Sequence, residues 1–292
     1  MFALLASLAL SHLGVSAQAI SQAVIEDPRP DAMHPARMAV IHVPTGGVEI
    51  NGIVYIASGL GPHPTFVLFH GVPGNEKNLD LAQAVRRAGW NAVMVNYRGS
   101  WGSPGKFSFA QNLEDAKATL AFIRNPVNAV KLDIDPNRIA LGGHSMGGWV
   151  SALTASQDPA LLGTVIISAA DMGAFGQKAK EHFSDVAGFL EGGRPALAGV
   201  SGQAMADELR TNADGWTLVA AAPRLRNTNL YVLYSADDWE ADSVRLIKAI
   251  EERGGASLRY LRVPTDHVWS DKRLTLASLV TTWLESLKAT KP

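Results

Sequence analysis

The chain contains no cysteine. Disulfides, a thiol nucleophile and thiolate-bound metal are therefore excluded, and cysteine usage carries no information about redox compartment. Charge of either sign is also scarce: charged residues make up 18% of the 292 residues, and the formal net charge is −1. Nowhere do lysines and arginines gather into a run, so the electrostatic footprint of a nucleic-acid partner or an anionic membrane surface is missing. No stretch after the N-terminus approaches the length of a membrane span. What is plentiful is apolar: 47% of residues are hydrophobic, enough for the core of one large α/β unit.

At the N-terminus, Phe2 to Leu10 form a short apolar run, and Ala17-Gln18-Ala19 places small residues before a cleavage point after Ala19. This is the layout of a secretory signal peptide over 1–19, and it predicts export, to a periplasm or medium, of a protein with no membrane segment after cleavage. Residues 20–37, with Pro28, Pro30 and Pro35, read as a linker into a domain spanning 38–292.

Within that domain, Met38–Val43 and Glu49–Ala57 flank Pro44-Thr45-Gly46-Gly47, a hairpin signal. β-rich runs follow at Thr65–His70, Asn91–Tyr97, Arg138–Gly142, Thr164–Ser168, Asn229–Ser235 and Ser257–Val263, alternating with helical stretches near 76–88, 109–124, 147–156, 240–253 and 271–288. Several of the runs are almost continuously apolar, as strands covered on both faces must be. The expectation is an α/β fold: about eight strands, mostly parallel, with helices on both faces. One connection is too long for a plain crossover. About sixty residues separate the strands at 168 and 229, and 171–228 is expected to form a small helical lid over the strand ends, with Gly192, Gly193, Gly199 and Gly202 allowing it to shift.

The chemistry concentrates in Gly143-His144-Ser145-Met146-Gly147. This G-x-S-x-G sequence follows a strand and opens a helix, the setting of a nucleophile elbow, in which a serine is held on a strained turn between two residues that must be small. Ser145 needs a base. Among eight histidines, His267 sits after the last strand and before the last helix, where the order Ser, Asp, His requires one. The acid should end the preceding strand, where Ser235-Ala236-Asp237-Asp238 supplies two chemically adequate candidates. For the oxyanion, the backbone N–H of Met146 is one expected donor and that of Val72, in His70-Gly71-Val72-Pro73-Gly74, the other, because Pro73 has no N–H. Arg98, in Asn96-Tyr97-Arg98-Gly99-Ser100, is expected to tie loops together. Trp101, Phe107 and Phe109 could line an acyl pocket or belong to the core.

These motifs resemble the α/β-hydrolase superfamily over 38–288, and His70–Gly74, Asn96–Ser100 and Gly143–Gly148 are similar to the catalytic domain of the prolyl-oligopeptidase group and its small esterase relatives. Members of that group commonly end the acid-bearing strand in G-x-x-D. Ser235-Ala236-Asp237-Asp238 fits that register with Ser for Gly, so the resemblance implies Asp238 as the acid. It also implies a serine hydrolase, expected to cleave small-molecule carboxylic esters; no cofactor or metal is expected, since there are no cysteines and no pair of histidines has helical ligand spacing. An exopeptidase or amidase using the same triad is the alternative, although the β-propeller that confines peptides in the oligopeptidases has no counterpart in this sequence.

Overall fold

The computed structural model describes residues 21–288, so the predicted signal peptide lies outside the described residues. Eight strands form one sheet: β1 (Arg37–Thr45), β2 (Val48–Ile56), β3 (His63–Phe69), β4 (Asn91–Val95), β5 (Ile134–His144), β6 (Gly163–Ile167), β7 (Leu230–Ser235) and β8 (Leu258–Val263). Their spatial order is β1-β2-β4-β3-β5-β6-β7-β8, with β1 and β2 antiparallel and every pair from β4–β3 to β7–β8 parallel. The expected hydrolase-type architecture is present, hairpin included.

The helices are α1 (Gln22–Ile25), α2 (Leu79–Arg87), α3 (Phe109–Arg124), α4 (Pro126–Lys131), α5 (Met146–Ala155), α6 (Met172–Glu181), α7 (Phe183–Glu191), α8 (Gly202–Asn212), α9 (Leu218–Leu225), α10 (Glu240–Glu251) and α11 (Arg273–Lys288). They cover both faces. Two apolar layers result: one holds Phe69, Tyr97, Ile139, Trp149 and Ile166, the other Phe66, Trp90, Ala140, Trp269 and Trp283. Strands buried on both sides, such as β3, β4, β6 and β7, are buried at every residue, which is why their sequences are almost continuously apolar.

Two departures from the expected segmentation have local causes. The 20–37 segment is not wholly a linker. Its single helical turn α1 docks against α2 and α11, and the Arg87 Nε donates to the Ala23 carbonyl at 2.6 Å. Strand β5 starts at Ile134, before Asp135-Pro136-Asn137, because Ile134 pairs with His63 across an irregularity in the ladder.

Arg98 ties loops together as expected. Its N–H and Nε donate to the fully buried Asp115 of α3 at 2.8 and 2.6 Å, and Thr45 at the hairpin donates to the same carboxylate at 2.9 Å. Phe107 and Phe109 belong to the core, packed edge to face. Trp101 lies at the surface with its indole N–H on the Pro73 carbonyl at 2.6 Å.

Candidate active site

Strand β5 and helix α5 meet at Ser145, whose backbone sits at φ 59°, ψ −127°, a region that L-residues avoid. The neighbours explain why it is held there. A Cβ added at Gly143 would lie 2.0 Å from the Gly147 carbonyl oxygen, and one at Gly147 would lie 2.1 Å from that of Phe69. Backbone meets backbone on both sides of the serine, so the turn closes only with glycine at each flank. The Ser145 N–H donates to Ile167 of the adjacent strand at 3.0 Å, which anchors the strained residue to the sheet.

His267 lies on the loop after β8, with its side chain 28% exposed. Its Nδ1 donates to Asp237 Oδ2 at 2.7 Å. This corrects the expectation that Asp238 pairs with the histidine. Asp237 turns inward because three donors converge on it: His267 Nδ1, the Ser235 hydroxyl on Oδ2 at 2.5 Å, and the Trp239 N–H on Oδ1 at 2.8 Å. Asp238 is exposed and borders a different cavity, between α6, α7 and α10. The Ser235 hydroxyl receives a further bond at 2.6 Å from Ser168, which in turn accepts the Trp269 indole N–H at 2.9 Å. Because Ser235 gives its proton to Asp237, the chain runs in one direction, from Trp269 through Ser168 and Ser235 to the carboxylate. Burial alone would raise the Asp237 carboxyl, but the hydrogen bonds from His267, Ser235 and the Trp239 N–H outweigh it and hold the group below the ordinary carboxylate range.

The histidine loop is fixed to the elbow by a residue that pattern reading passes over. His144, just before the serine, is buried, and its Nε2 donates to the His267 carbonyl at 2.7 Å with the two rings 4.8 Å apart. Burial, aided by the neighbouring His267, pushes the His144 imidazole down to about 4, so it stays neutral at ordinary pH. Its place inside the motif was the one available signal, although the motif does not specify that residue.

Across from this loop, Gly71 packs on the serine: a Cβ at Gly71 would come 2.9 Å from Ser145 Cβ. Val72, next to Gly71, and Met146, next to Ser145, therefore stand close to the serine, and the N–H of neither has a hydrogen-bond acceptor among the described residues. A free donor at the first position of a helix, beside a second on a facing loop, can receive an oxygen that acquires negative charge.

The insertion between β6 and β7 contains α6 to α9 and a 3-10 turn at Arg194–Ala196. It packs over the carboxyl edge of the sheet. Phe175 of α6 meets Trp239 edge to face at 5.4 Å, and Trp239 lies 6.4 Å from the His267 ring. On the other side, a Cβ at Gly193 would touch Pro73 at 3.3 Å, and Ala198 exchanges backbone bonds with Gly99 and Phe107 at 2.7 and 2.9 Å. No group of three or more metal-ligating side chains occurs among the described residues, and no described helix is long and apolar enough to cross a membrane.

Residues 66–289 match the Alpha/beta hydrolase family. An uncharacterized protein of Mycobacterium tuberculosis (strain CDC 1551 / Oshkosh) is 28% identical over 151 residues, 50% of this chain and 52% of that one, so the chain spans about half the length of the curated relatives it matches. Among solved structures, EstE1, a thermostable carboxylesterase cloned from a metagenomic library, superposes with a TM-score of 0.62 at 18% identity, over 89% of this chain and 91% of that one. Brefeldin A esterase, described as a bacterial homologue of human hormone-sensitive lipase, gives 0.59 at 18% identity, over 91% and 79%. The profile match takes in the sheet from β3 onward, the elbow and the histidine loop, and the chain belongs to the alpha/beta hydrolase family.

Proposed function

We propose that the protein hydrolyses small carboxylic esters through an acyl-enzyme, with Ser145, His267 and Asp237 as the triad. The observation that carries this reading is the 2.7 Å bond from His267 Nδ1 to Asp237, on a loop fastened to the residue beside Ser145. With Nδ1–H committed to the carboxylate, Nε2 is the basic nitrogen. It takes the Ser145 proton as Oγ attacks the carbonyl, and Asp237 stabilises the imidazolium that forms. The N–H groups of Met146 and Val72 hold the oxyanion. Collapse of the tetrahedral species expels the alcohol, which receives its proton from His267, and water repeats the sequence to release the acid. No step draws on a metal or cofactor.

Carboxylic esters are favoured as the substrate class by the esterase neighbours, among them an esterase of Pyrobaculum calidifontis with a TM-score of 0.62 at 18% identity. The insertion serves as the lid of the cleft, supported by its contacts with the Pro73 loop on one side and Trp239 on the other. Export follows from the signal-peptide pattern at 1–19.

A fluorophosphonate probe tests the nucleophile. It should label the wild-type chain and leave Ser145→Ala unlabelled, and that variant should lose ester turnover by about 10⁶-fold, the scale of a disabled serine triad. Labelling of Ser145→Ala to the wild-type extent would refute the assignment.

A further inference from the structure

The hydrogen-bond chain behind Asp237 begins and ends on one loop. Trp269, two residues past His267, donates its indole N–H to Ser168 Oγ at 2.9 Å, and Ser168 and Ser235 share a bond at 2.6 Å. Ser235 donates to Asp237 Oδ2 at 2.5 Å, and that same oxygen accepts His267 Nδ1 at 2.7 Å. The histidine loop therefore reaches the carboxylate by two routes, one through the imidazole and one through two serines. Those serines stand at the ends of neighbouring parallel strands: Ser168 directly follows β6, and Ser235 is the last residue of β7.

No proton in this chain has a choice of direction. An indole N–H only donates, and an ionised carboxylate only accepts. With both ends fixed, Ser168 gives its proton to Ser235, and Ser235 gives its own to Asp237. Ser168, Ser235 and Trp269 are all buried. Two of them also sit in strained backbone, with φ at 42° for Ser168 and 61° for Trp269. A serine or a bulky aromatic residue is kept in the left-handed region only where its surroundings over-determine it. At both positions the main chain adds a hold of its own. The Ser168 N–H donates to the Leu233 carbonyl of β7 at 2.8 Å, and the Trp269 N–H to that of Asp266, beside His267, at 3.1 Å.

A hydroxyl proton on Oδ2 makes that oxygen a weaker acceptor for an imidazolium. The difference matters because the base must also give its proton up. When the tetrahedral species collapses, the bond from the carbonyl carbon to the alcohol oxygen breaks and its electron pair stays on that oxygen. The proton leaves Nε2 and bonds there. A carboxylate that gripped the imidazolium harder would slow this return, most of all for an alcohol that is poor at leaving as an anion.

We propose that Trp269, Ser168 and Ser235 are positioning residues of the reaction, which hold Asp237 towards the imidazole and moderate its grip, so that His267 returns its proton to the departing alcohol. The inference rests on the triad of Ser145, His267 and Asp237 proposed above. It gives Trp269, three hydrogen bonds away from the carboxylate, a share in deciding which alcohols leave.

The test compares Ser235→Ala and Trp269→Phe with wild type on two esters of one acid. A nitrophenyl ester has a leaving group that needs no proton, whereas a simple alkyl ester has one that does. Ser235→Ala should lower kcat/KM for the alkyl ester about tenfold relative to the nitrophenyl ester, the scale of one hydrogen bond to a charged group. Trp269→Phe should lower the same ratio by a smaller factor. In protein labelled with ¹⁵N-histidine, the His267 Nδ1–H proton, identified by its loss in His267→Gln, should move downfield in Ser235→Ala as its bond to Asp237 strengthens. Equal losses on the two esters overturn the proposal, and so does a proton resonance that stays in place. A wild type that hydrolyses neither ester overturns the triad reading and this inference with it. A wild type active on both, with the ratio unchanged in the variants, overturns this inference alone. The two variants break the chain at opposite ends, so either one decides the result if the other fails to fold.

Discussion

At Asp237, three donors meet one carboxylate, whereas the adjacent Asp238 faces solvent and the cavity beneath α6 and α7. The two residues should respond differently to the same small change. Asp237→Asn keeps the shape but turns an acceptor into a potential donor facing His267, which destabilises the tautomer that leaves Nε2 basic. Ester turnover should fall by about 10⁴-fold, with the thermal midpoint little changed. Asp238→Asn should stay within a few-fold of wild type, and steady-state kinetics on one activated ester compares the two. The sequence brought both carboxylates to the end of β7, where either can pair with an imidazole, and the G-x-x-D resemblance chose Asp238, the one that the structure turns away from His267. What distinguishes them is the direction each side chain leaves the turn, set by the Ser235 hydroxyl and the Trp239 N–H. Ser145 and His267 were legible for the opposite reason: a strained turn between obligatory glycines and a loop histidine in a fixed chain order leave a pattern in the residues themselves.

Among the elements, the strands were the most readable, because burial on both faces writes an almost continuously apolar run. Short helices were not. Helix α4 opens on Pro126 directly after α3, and α1 is a single turn whose support comes from α2 and α11 rather than from its own sequence. The insertion was expected to shift on its glycines, yet a Cβ at Gly202 would strike the Ala187 carbonyl at 2.2 Å and one at Gly176 that of Leu209 at 2.2 Å. Those glycines let helices approach closely, and α8 is further secured by Glu208, whose carboxylate accepts from the Ser108 hydroxyl and the N–H groups of Phe109 and Ala110 at 2.6, 3.1 and 2.8 Å. Glu208→Ala removes that clasp and uncovers the positive end of α3. It should cost about 2 kcal/mol in chemical denaturation and speed hydrogen exchange in α8 and the first turn of α3. If the insertion is the lid, the ratio of rates on long and short acyl esters should change in this variant while fluorophosphonate labelling of Ser145 persists.

For the molecule as a whole, the buried acids at the root of the insertion set a pH dependence of stability. Asp171 caps α6 and also accepts the Leu218 N–H, while Asp242 of α10 accepts the Asp171 N–H and pairs with Arg245. Burial, reinforced by the charge of Asp171, pushes the Asp242 carboxyl up from 3.8 to about 6. A raised carboxyl is protonated more readily in the folded state than in the unfolded one, so its ionisation works against the fold. Stability is lost as pH rises from about 4 to 6 and levels off above that, a difference of about 3 kcal/mol. Asp242→Asn should remove this component, so that its unfolding free energy at pH 7 relative to pH 4 exceeds the wild-type difference by that amount. Denaturant titrations at the two pH values check this. The strand order carries a last consequence, for assembly on the ribosome. Strand β3 is synthesised before either of its parallel neighbours, β4 and β5, and after β5 each new strand joins one growing edge in the order in which it is made. Until β8 is in place, the nascent sheet therefore ends in a strand as apolar as β6 or β7, with its ladder open to any passing chain. The half-exposed β8, which carries Arg259 and Arg262, is the first strand on that side whose composition discourages such pairing.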